Sequence, residues 1–453
     1  MLELYNYVLN PQNAGPSRLS SNYNAYNFNR RVTSEFLELD IPIVSPSMGI
    51  PLMQKFEVDL SGRHDGYSDV GATTNPKVAL NWDIIDGLRF RSSWSTSFVA
   101  VALEHDLQGG LVGNSAVTTG TPGALPVALF PQVTQLGIAG CTVTSVTCDT
   151  SSLQGINSSG ASASLVPERG RGWTIGFDFT PTFLEGFNSS VSWWHVTYLG
   201  GATAATPQID AFNPLLNNRI QLFPGCATPA QIAAIIGNTP VNSVIPSCVS
   251  TFTNTATGNL INFWASGIDF SAGYHFDTDY GAFSVDDALS YQTTFLQGFG
   301  TTVPNANYRF EAKNSVGLNT TFPNIGTQMR SHIGWALEPF TADFYMNYVG
   351  AYKNVSSTAT NAIVTTAFNV YSGQGGDHVA SQATFDMHLA YTFDSPLSGQ
   401  DEVSLTVKNI FNQYPPFING AAAGSNGGGG YGFDAYVSNP IGRIITIGID
   451  AKY

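Results

Sequence analysis

Charge is scarce in this sequence. Only 11% of its 453 residues are Asp, Glu, Lys or Arg, about half of what a soluble surface carries. Basic residues are the scarcer kind, 18 against 32 acids, for a net charge of -14 with His neutral. So acidic a chain offers no surface to a phosphate backbone, which excludes nucleic acid as a partner. No run of 18 or more apolar residues is present, so helical membrane spans are excluded as well. The first residues, Met1-Leu2-Glu3-Leu4-Tyr5-Asn6-Tyr7, lack the basic start and apolar core of a signal peptide. For an exported protein this points to a removed leader or to a missing front portion.

Signatures of catalysis and of cofactor binding are also lacking. The seven His residues form no His-x-x-His or His-Glu-x-x-His arrangement. The glycines at 427–430 are followed by no Lys-Ser/Thr and sit in no strand–loop–helix context, so they are no phosphate cradle. No nucleophile–base–orienter set can be assembled, so no enzyme, cofactor or metal site is expected. Asp277, Asp279, Asp286 and Asp287 gather near one short turn as oxygen donors. Their spacing is not that of an EF-hand, and a solvated turn is the plainer reading. Glu168, Arg169, Arg171 and Glu185 lie near strand ends, where charges are usually wet. His275 and His388 fall on the polar side of alternating segments and are expected to be solvated.

What the chain has in abundance is Phe, Tyr and Gly, at 29, 19 and 46 residues, arranged with a period of two. Ile445, Ile447, Ile449, Ala451 and Tyr453 share one face, while Thr446, Gly448, Asp450 and Lys452 share the other. Phe385, Met387, Leu389, Tyr391 and Phe393 alternate with Asp386, His388, Ala390 and Thr392. The same pattern runs through Phe340 to Tyr348, Trp173 to Phe179, Phe56 to Leu60 and Leu88 to Thr96. Such alternation makes strands with two unlike faces. About 13 strands follow from it, near 31–41, 53–65, 76–84, 88–97, 170–180, 188–199, 262–275, 281–295, 328–337, 340–353, 383–394, 399–409 and 442–453. Most exceed the usual five or six residues and match the ~9–11 needed for a tilted strand to cross a bilayer.

Connections alternate between short and long. Short ones are Asp83 to Gly87, Pro181 to Phe187, Asp277 to Tyr280, Glu338-Pro339 and Ser395 to Gln400. Long Gly/Ser/Thr/Asn/Pro-rich stretches lie near 98–169, 200–261, 296–327, 354–382 and 410–441, with 66–75 as the shortest of this set. Short periplasmic turns and long extracellular loops distinguish an outer-membrane barrel from a β-sandwich or solenoid, the competing reading. The fold expected is all-β, a transmembrane antiparallel barrel over residues 1–453 facing outer-membrane lipid. Thirteen antiparallel strands cannot close on themselves with every neighbour antiparallel, so a partial barrel is expected.

Leu405-Thr406-Val407-Lys408-Asn409-Ile410-Phe411-Asn412-Gln413-Tyr414-Pro415-Pro416 resembles the terminal motif of TonB-dependent outer-membrane receptors. After it come a Gly-rich loop, Tyr431, Asp434-Ala435-Tyr436, Asn439-Pro440-Ile441-Gly442-Arg443 and a last strand ending on aromatic Tyr453. Further similar elements are Arg63 to Gly71, Asn75-Pro76-Lys77, Leu88 to Arg91 with Ser97-Phe98, Val166-Pro167-Glu168 before Trp173 to Asp178, and Ser266 to Phe270. The resemblance runs over nearly the whole chain. It implies a barrel of 22 strands around a plug, of which these 13 are the tenth to twenty-second, with the plug and the coupling segment absent. A departure is Ser97-Phe98-Val99-Ala100-Val101, where the family carries an Arg and a Pro.

The resemblance implies active uptake of a scarce nutrient (iron–siderophore, haem, cobalamin or oligosaccharide), driven by the TonB energy-coupling complex. A plugless passive pore or structural barrel is the alternative, and an outer-membrane enzyme a distant third. In an oxidising compartment, loop cysteines are expected as Cys141–Cys148 and Cys226–Cys248, rather than as free thiols or a zinc site. Loop aromatics Phe130, Phe212, Phe223 and Phe417 are candidate ligand contacts, or residues that merely hold their loops. Trp173, Trp193, Trp194, Trp335 and Tyr453 are expected in the interfacial girdles. Apolar spacing over Pro229 to Gly237 predicts a short loop helix, over the mouth or within the loop.

Overall fold

The computed structural model describes residues 29–451 except 104–106, 109–110, 113–115, 161–164, 204–216, 238, 240, 242, 300–308, 312–314, 317–323, 355–376, 396–398, 418–432 and 436. One sheet dominates it. Its wall strands are β1 (Val32–Val44), β2 (Lys55–Tyr67), β3 (Gly71–Ile85), β4 (Leu88–Val99), β5 (Glu168–Phe179), β6 (Phe187–Thr203) and β7 (Gly258–Thr278). They continue as β8 (Gly281–Phe299), β9 (Thr327–Leu337), β10 (Phe340–Val349), β11 (Gln382–Ser395), β12 (Gly399–Lys408) and β13 (Ile444–Ala451). Consecutive strands pair antiparallel from β1 to β13, so the wall is an uninterrupted meander of the 13 expected strands. Among the described residues nothing pairs with the free side of β1 or of β13.

Strand register sorts side chains as the alternation requires. On β9 to β11, Ile333 faces Phe344, which faces Met387, while His332 faces Tyr345 and Asp343 faces His388. One face is therefore apolar and the other polar, strand after strand. The apolar face is also the exposed one. Ile445, Ile447 and Ile449 are 62, 73 and 76% exposed, and Trp173, Ile175, Phe177, Phe270, Ile333 and Phe344 stay uncovered. A water-soluble protein does not leave so large a contiguous apolar surface in solvent.

Aromatic rings close-pack across strands near the short-turn end of the apolar face. Phe90 meets Phe177 at 5.2 Å, Phe276 meets Phe283 at 5.4 Å, and Phe340 meets Tyr391 at 5.0 Å. Trp82 and Trp335 there donate their indole N–H to the carbonyls of Leu52 and Tyr280. Six residues up β4 and β5, Trp94 and Trp173 pair at 6.0 Å in an upper row. Trp194 corrects the girdle expectation. It pairs with Thr174 and Gly267 on the polar face, and a Cβ on Gly267 would meet its ring at 2.4 Å. Tyr453 lies outside the described residues.

The turns hold two further corrections. β2 and β3 extend to Tyr67 and from Gly71, so the stretch 66–75 is mostly paired strand with a tight turn, not a loop. Its polar residues ride above the apolar band, where alternation of hydrophobicity carries no signal. The segment 340–353 divides: β10 stops at Val349, and Tyr352–Asn354 joins a small separate sheet with Ser315–Val316 and Asp377–Val379. At the short-turn end the connections interlock. Thr180 donates its N–H to the Gly87 carbonyl at 2.7 Å, and a Cβ on Gly87 (φ +79°) would lie 2.2 Å from the Thr180 oxygen.

Candidate functional site

Above the wall, the two longest loops fold together into a cap with its own interior. Gly155–Ser159 from the first loop lies parallel to Thr251–Asn254 from the second. Ala116–Thr119 and Ile220–Leu222 flank this pair to give a four-stranded sheet. Most of the fully buried apolar side chains, Val117, Leu125, Val133, Ile156 and Val249, belong to these loops, and Val379 packs with Tyr352 in the small separate sheet. The packed cores therefore sit among the loops and not under the wall, whose apolar face no described residue covers. Cys141 is bonded to Cys148 and Cys226 to Cys248, with Cα atoms 5.4 and 5.0 Å apart.

The candidate ligand aromatics divide sharply. Phe130 is 5% exposed, packed with Leu125, Val127, Val133 and Ile220, so it fills the cap interior. The cause is local: the turn Pro131–Gln135 folds back over it. Phe223 packs beside the second cap core of Val117, Ile156, Val249 and Phe252. Phe417 is 76% exposed. Phe212 lies outside the described residues. The predicted loop helix forms over Pro229–Ile236, capped by Thr228 and Gln231 in a reciprocal pair. Ile232, Ile235 and Ile236 pack against the second core, so the helix organises the loop.

Side chains at the cap's roots clamp it to the wall. Asn259 donates to the carbonyls of Val166 and Gly200 and accepts from the Val166 N–H at 2.9 Å. Glu168 accepts from the Ala202 N–H at 2.7 Å and from the Tyr198 hydroxyl. Instead of a wet strand-end charge, Glu168 is thus a tie between both loop roots. The Arg219 guanidinium donates to the carbonyls of Asn254 and Ala256.

Below the cap the polar face presents two groupings that composition did not disclose. An aromatic row runs Tyr198, Phe263, Phe295, with centroids 6.1 and 5.4 Å apart, on the face of Glu168. Gln297, opposite Phe263 in register, is fully buried with neither amide atom hydrogen-bonded. Lower on the wall, imidazole and carboxylate alternate across four strands: His275 on Asp286 at 3.2 Å, Asp286 on His332 at 3.0 Å, His332 on Asp343 at 2.8 Å. His388, next in register to Asp343, bonds the Thr406 hydroxyl at 2.8 Å. His332 also stacks on Tyr345, over which Arg330 lies.

The acid cluster at 277–287 does not converge. Asp286 lies on the polar face, whereas Asp287 pairs with Ala272 and Ser331 on the apolar one. Among the described residues no group of three or more His, Cys, Asp or Glu side chains could hold a metal ion.

After β12 the chain turns through Asn409 and Asn412, both at φ 52°. Asn409 accepts from the Gln413 N–H at 2.8 Å and donates to its carbonyl at 2.9 Å, while its own N–H binds Asp386 at 2.8 Å. Asn412 accepts from the Arg443 N–H at 2.9 Å, pinning the entry to β13. Asparagine is required because its short amide tolerates the left-handed region and bonds locally. Further on, the buried Tyr352 hydroxyl donates to the equally buried Asp434 at 3.1 Å.

A meandering wall of long strands, apolar outside, polar inside and capped at one end, is the architecture of a transmembrane β-barrel protein. A family model described as TonB dependent receptor-like, beta-barrel matches residues 3–412, and the chain belongs to that family. No curated protein sequence matches. Among solved structures, the siderophore receptor PirA from Acinetobacter baumannii is 14% identical with a TM-score of 0.53, over 93% of this chain and 46% of that one. A mutant ferric enterobactin receptor, PfeA, from Pseudomonas aeruginosa is 13% identical with a TM-score of 0.53, over 93% and 45%. Another PfeA mutant, in complex with enterobactin, is 12% identical with a TM-score of 0.55, over 95% and 47%. These likenesses establish the fold. The chain spans about half the length of the receptors it matches.

Proposed function

We propose that the chain is part of the wall and the capturing vestibule of an outer-membrane receptor that actively takes up a scarce nutrient. The observation that carries this reading is the pairing of an uncovered apolar face with a polar face under a disulfide-tied cap. The apolar face meets lipid, the long loops lie outside the cell, and β13 ends at the periplasmic side. Backbone groups at the free edges of β1 and β13 need partners in lipid, so further strands complete the wall. By family, a plug and the TonB complex gate the lumen and supply energy.

The ligand enters under the cap and meets Tyr198, Phe263 and Phe295, which offer flat apolar contact beside a carboxylate. The siderophore receptors among the structural relatives support an iron–siderophore over haem, cobalamin or an oligosaccharide as the cargo. The test is uptake of radiolabelled ferric siderophores by cells expressing the full-length gene product, with and without a protonophore. Energy-dependent uptake that falls in a Phe263→Ala variant, while the protein still reaches the membrane, is expected. Uptake indifferent to the protonophore contradicts active transport and favours a passive pore.

A further inference from the structure

The wall strands carry six arginines, and the face each occupies divides them into two kinds. Arg63, Arg89 and Arg91 point to the polar face, where they hold Asp65, Asp83 and Asp178. Arg330, also on that face, lies 4.8 Å over the Tyr345 ring. Arg169 and Arg171 are the other two. They stand on β5 in the same alternating row as Trp173, Ile175 and Phe177, on the apolar, outward face, and both are exposed. Among the described residues neither has an acid or hydrogen-bonding partner. In a chain with only 18 basic residues against 32 acids, two adjacent unpaired guanidinium groups facing outward are a marked exception.

Their height is fixed by the strand. Arg171 lies eight residues from Phe179 at the short-turn end, about 26 Å along a strand rising ~3.3 Å per residue. With a tilt of ~40° this is about 20 Å vertically, near the upper edge of the ~25 Å apolar band of such barrels. A cation is costly at the middle of that band and cheap at its edge, where lipid headgroups begin. The neighbours on this face fit a headgroup too. Arg171 pairs in register with Thr96 and Thr197, hydroxyls on either side, and directly below it Trp173 meets Trp94 with the rings tilted by 51°. Arg169 pairs with Phe98 and Leu199, which supply apolar contact.

We propose that Arg169 and Arg171 bind the phosphate of a membrane lipid headgroup on the outer surface of the wall. The planar guanidinium forks donate to the phosphate oxygens, beside the Thr96 and Thr197 hydroxyls, which bond Asn75 at 3.5 Å and His195 at 3.2 Å. Acyl chains then run down the apolar row through Trp173, Ile175 and Phe177. The site rests on the membrane reading above and adds to it a fixed lipid partner outside the lumen.

The test compares lipid retention by the full chain in detergent, read by native mass spectrometry, using phosphatidic acid and phosphatidylcholine with identical acyl chains. A roughly tenfold preference for phosphatidic acid is expected, the size one charge-assisted pair supplies. Arg169→Gln with Arg171→Gln is expected to abolish it, and the Arg→Lys pair to keep part of it. Both residues are exposed and unpartnered, so the variants leave the fold intact. A preference unchanged in the Gln pair, or absent in the wild type, overturns the site. So does inorganic phosphate at millimolar concentration displacing the lipid entirely, which makes the ligand a free ion. Quenching of tryptophan fluorescence by brominated lipid in vesicles tests the membrane reading separately. Quenching without a headgroup preference sinks the lipid site alone, whereas no quenching in any vesicle sinks both.

Discussion

Asn409 concentrates much of what single residues do in this protein. It holds a left-handed backbone, bonds Gln413 twice and receives Asp386 on its N–H. Asn409→Ala removes the two side-chain bonds and leaves a Cβ at positive φ with no local compensation. A loss of about 1–3 kcal/mol is expected in denaturant unfolding, while Asn409→Gly recovers the backbone part only. Tyr352 gives a pH signature. Burial, with the Asp434 carboxylate beside it, pushes its phenol well above the ordinary range. The folded phenol therefore stays neutral where the unfolded one, near 10, begins to ionise. Its stabilising contribution is complete below pH ~10 and is lost as pH rises beyond it. Denaturation midpoints falling above pH ~10 in the wild type and less in Tyr352→Phe are expected. The motif containing Asn409 was legible in the sequence, and its reason emerges only from the turn. Glu168 was visible too, but its bond to Ala202 needs two loop roots that sequence distance hides.

Among the elements, legibility followed periodicity. β10, β11 and β13 stand out in the sequence because one of their faces is uniformly large and apolar. The ends of β2 and β3 were missed because above the apolar band both faces are polar, so a paired strand there looks like a loop. The cap was invisible for another reason. Its parallel pair joins Gly155 to Thr251 and Ile156 to Phe252, segments too short to alternate and separated by two wall strands and most of the second loop. Of the two roles open to Phe130 in the sequence, ligand contact or loop core, the buried cluster around it favours the second. The cap's two bridges close segments of 22 and 7 residues, and loop-closure entropy makes them worth about 3 and 2 kcal/mol. Cys226→Ser with Cys248→Ser is therefore expected to open the cap to protease at lower denaturant than Cys141→Ser with Cys148→Ser. Equal or reversed sensitivity contradicts that ordering. In the wild type, thiol labelling is expected only after reduction.

For the whole molecule, both the balance of charge and the inverted distribution of apolar surface follow from one arrangement. Charges are few because lipid-facing positions disfavour them, and the acid–base pairs collect on the polar face, as in the His275, Asp286, His332 and Asp343 row, with Asp287, Arg169 and Arg171 as exceptions on the apolar one. The sheet's curvature into a closed barrel awaits strands along β1 and β13, whose outer edges have no partner among the described residues. The central claim is that the wall separates lipid from an aqueous lumen, and β10, covered by a neighbour on each side, is the place to test it. A spin label is attached to a cysteine introduced in turn at Thr341, Ala342, Asp343, Phe344, Tyr345 and Met346, with the protein reconstituted in bilayers. The account predicts high oxygen accessibility at 342, 344 and 346 and high accessibility to a water-soluble nickel chelate at 341, 343 and 345. Accessibility that does not alternate along β10, or that alternates in the opposite phase, contradicts it.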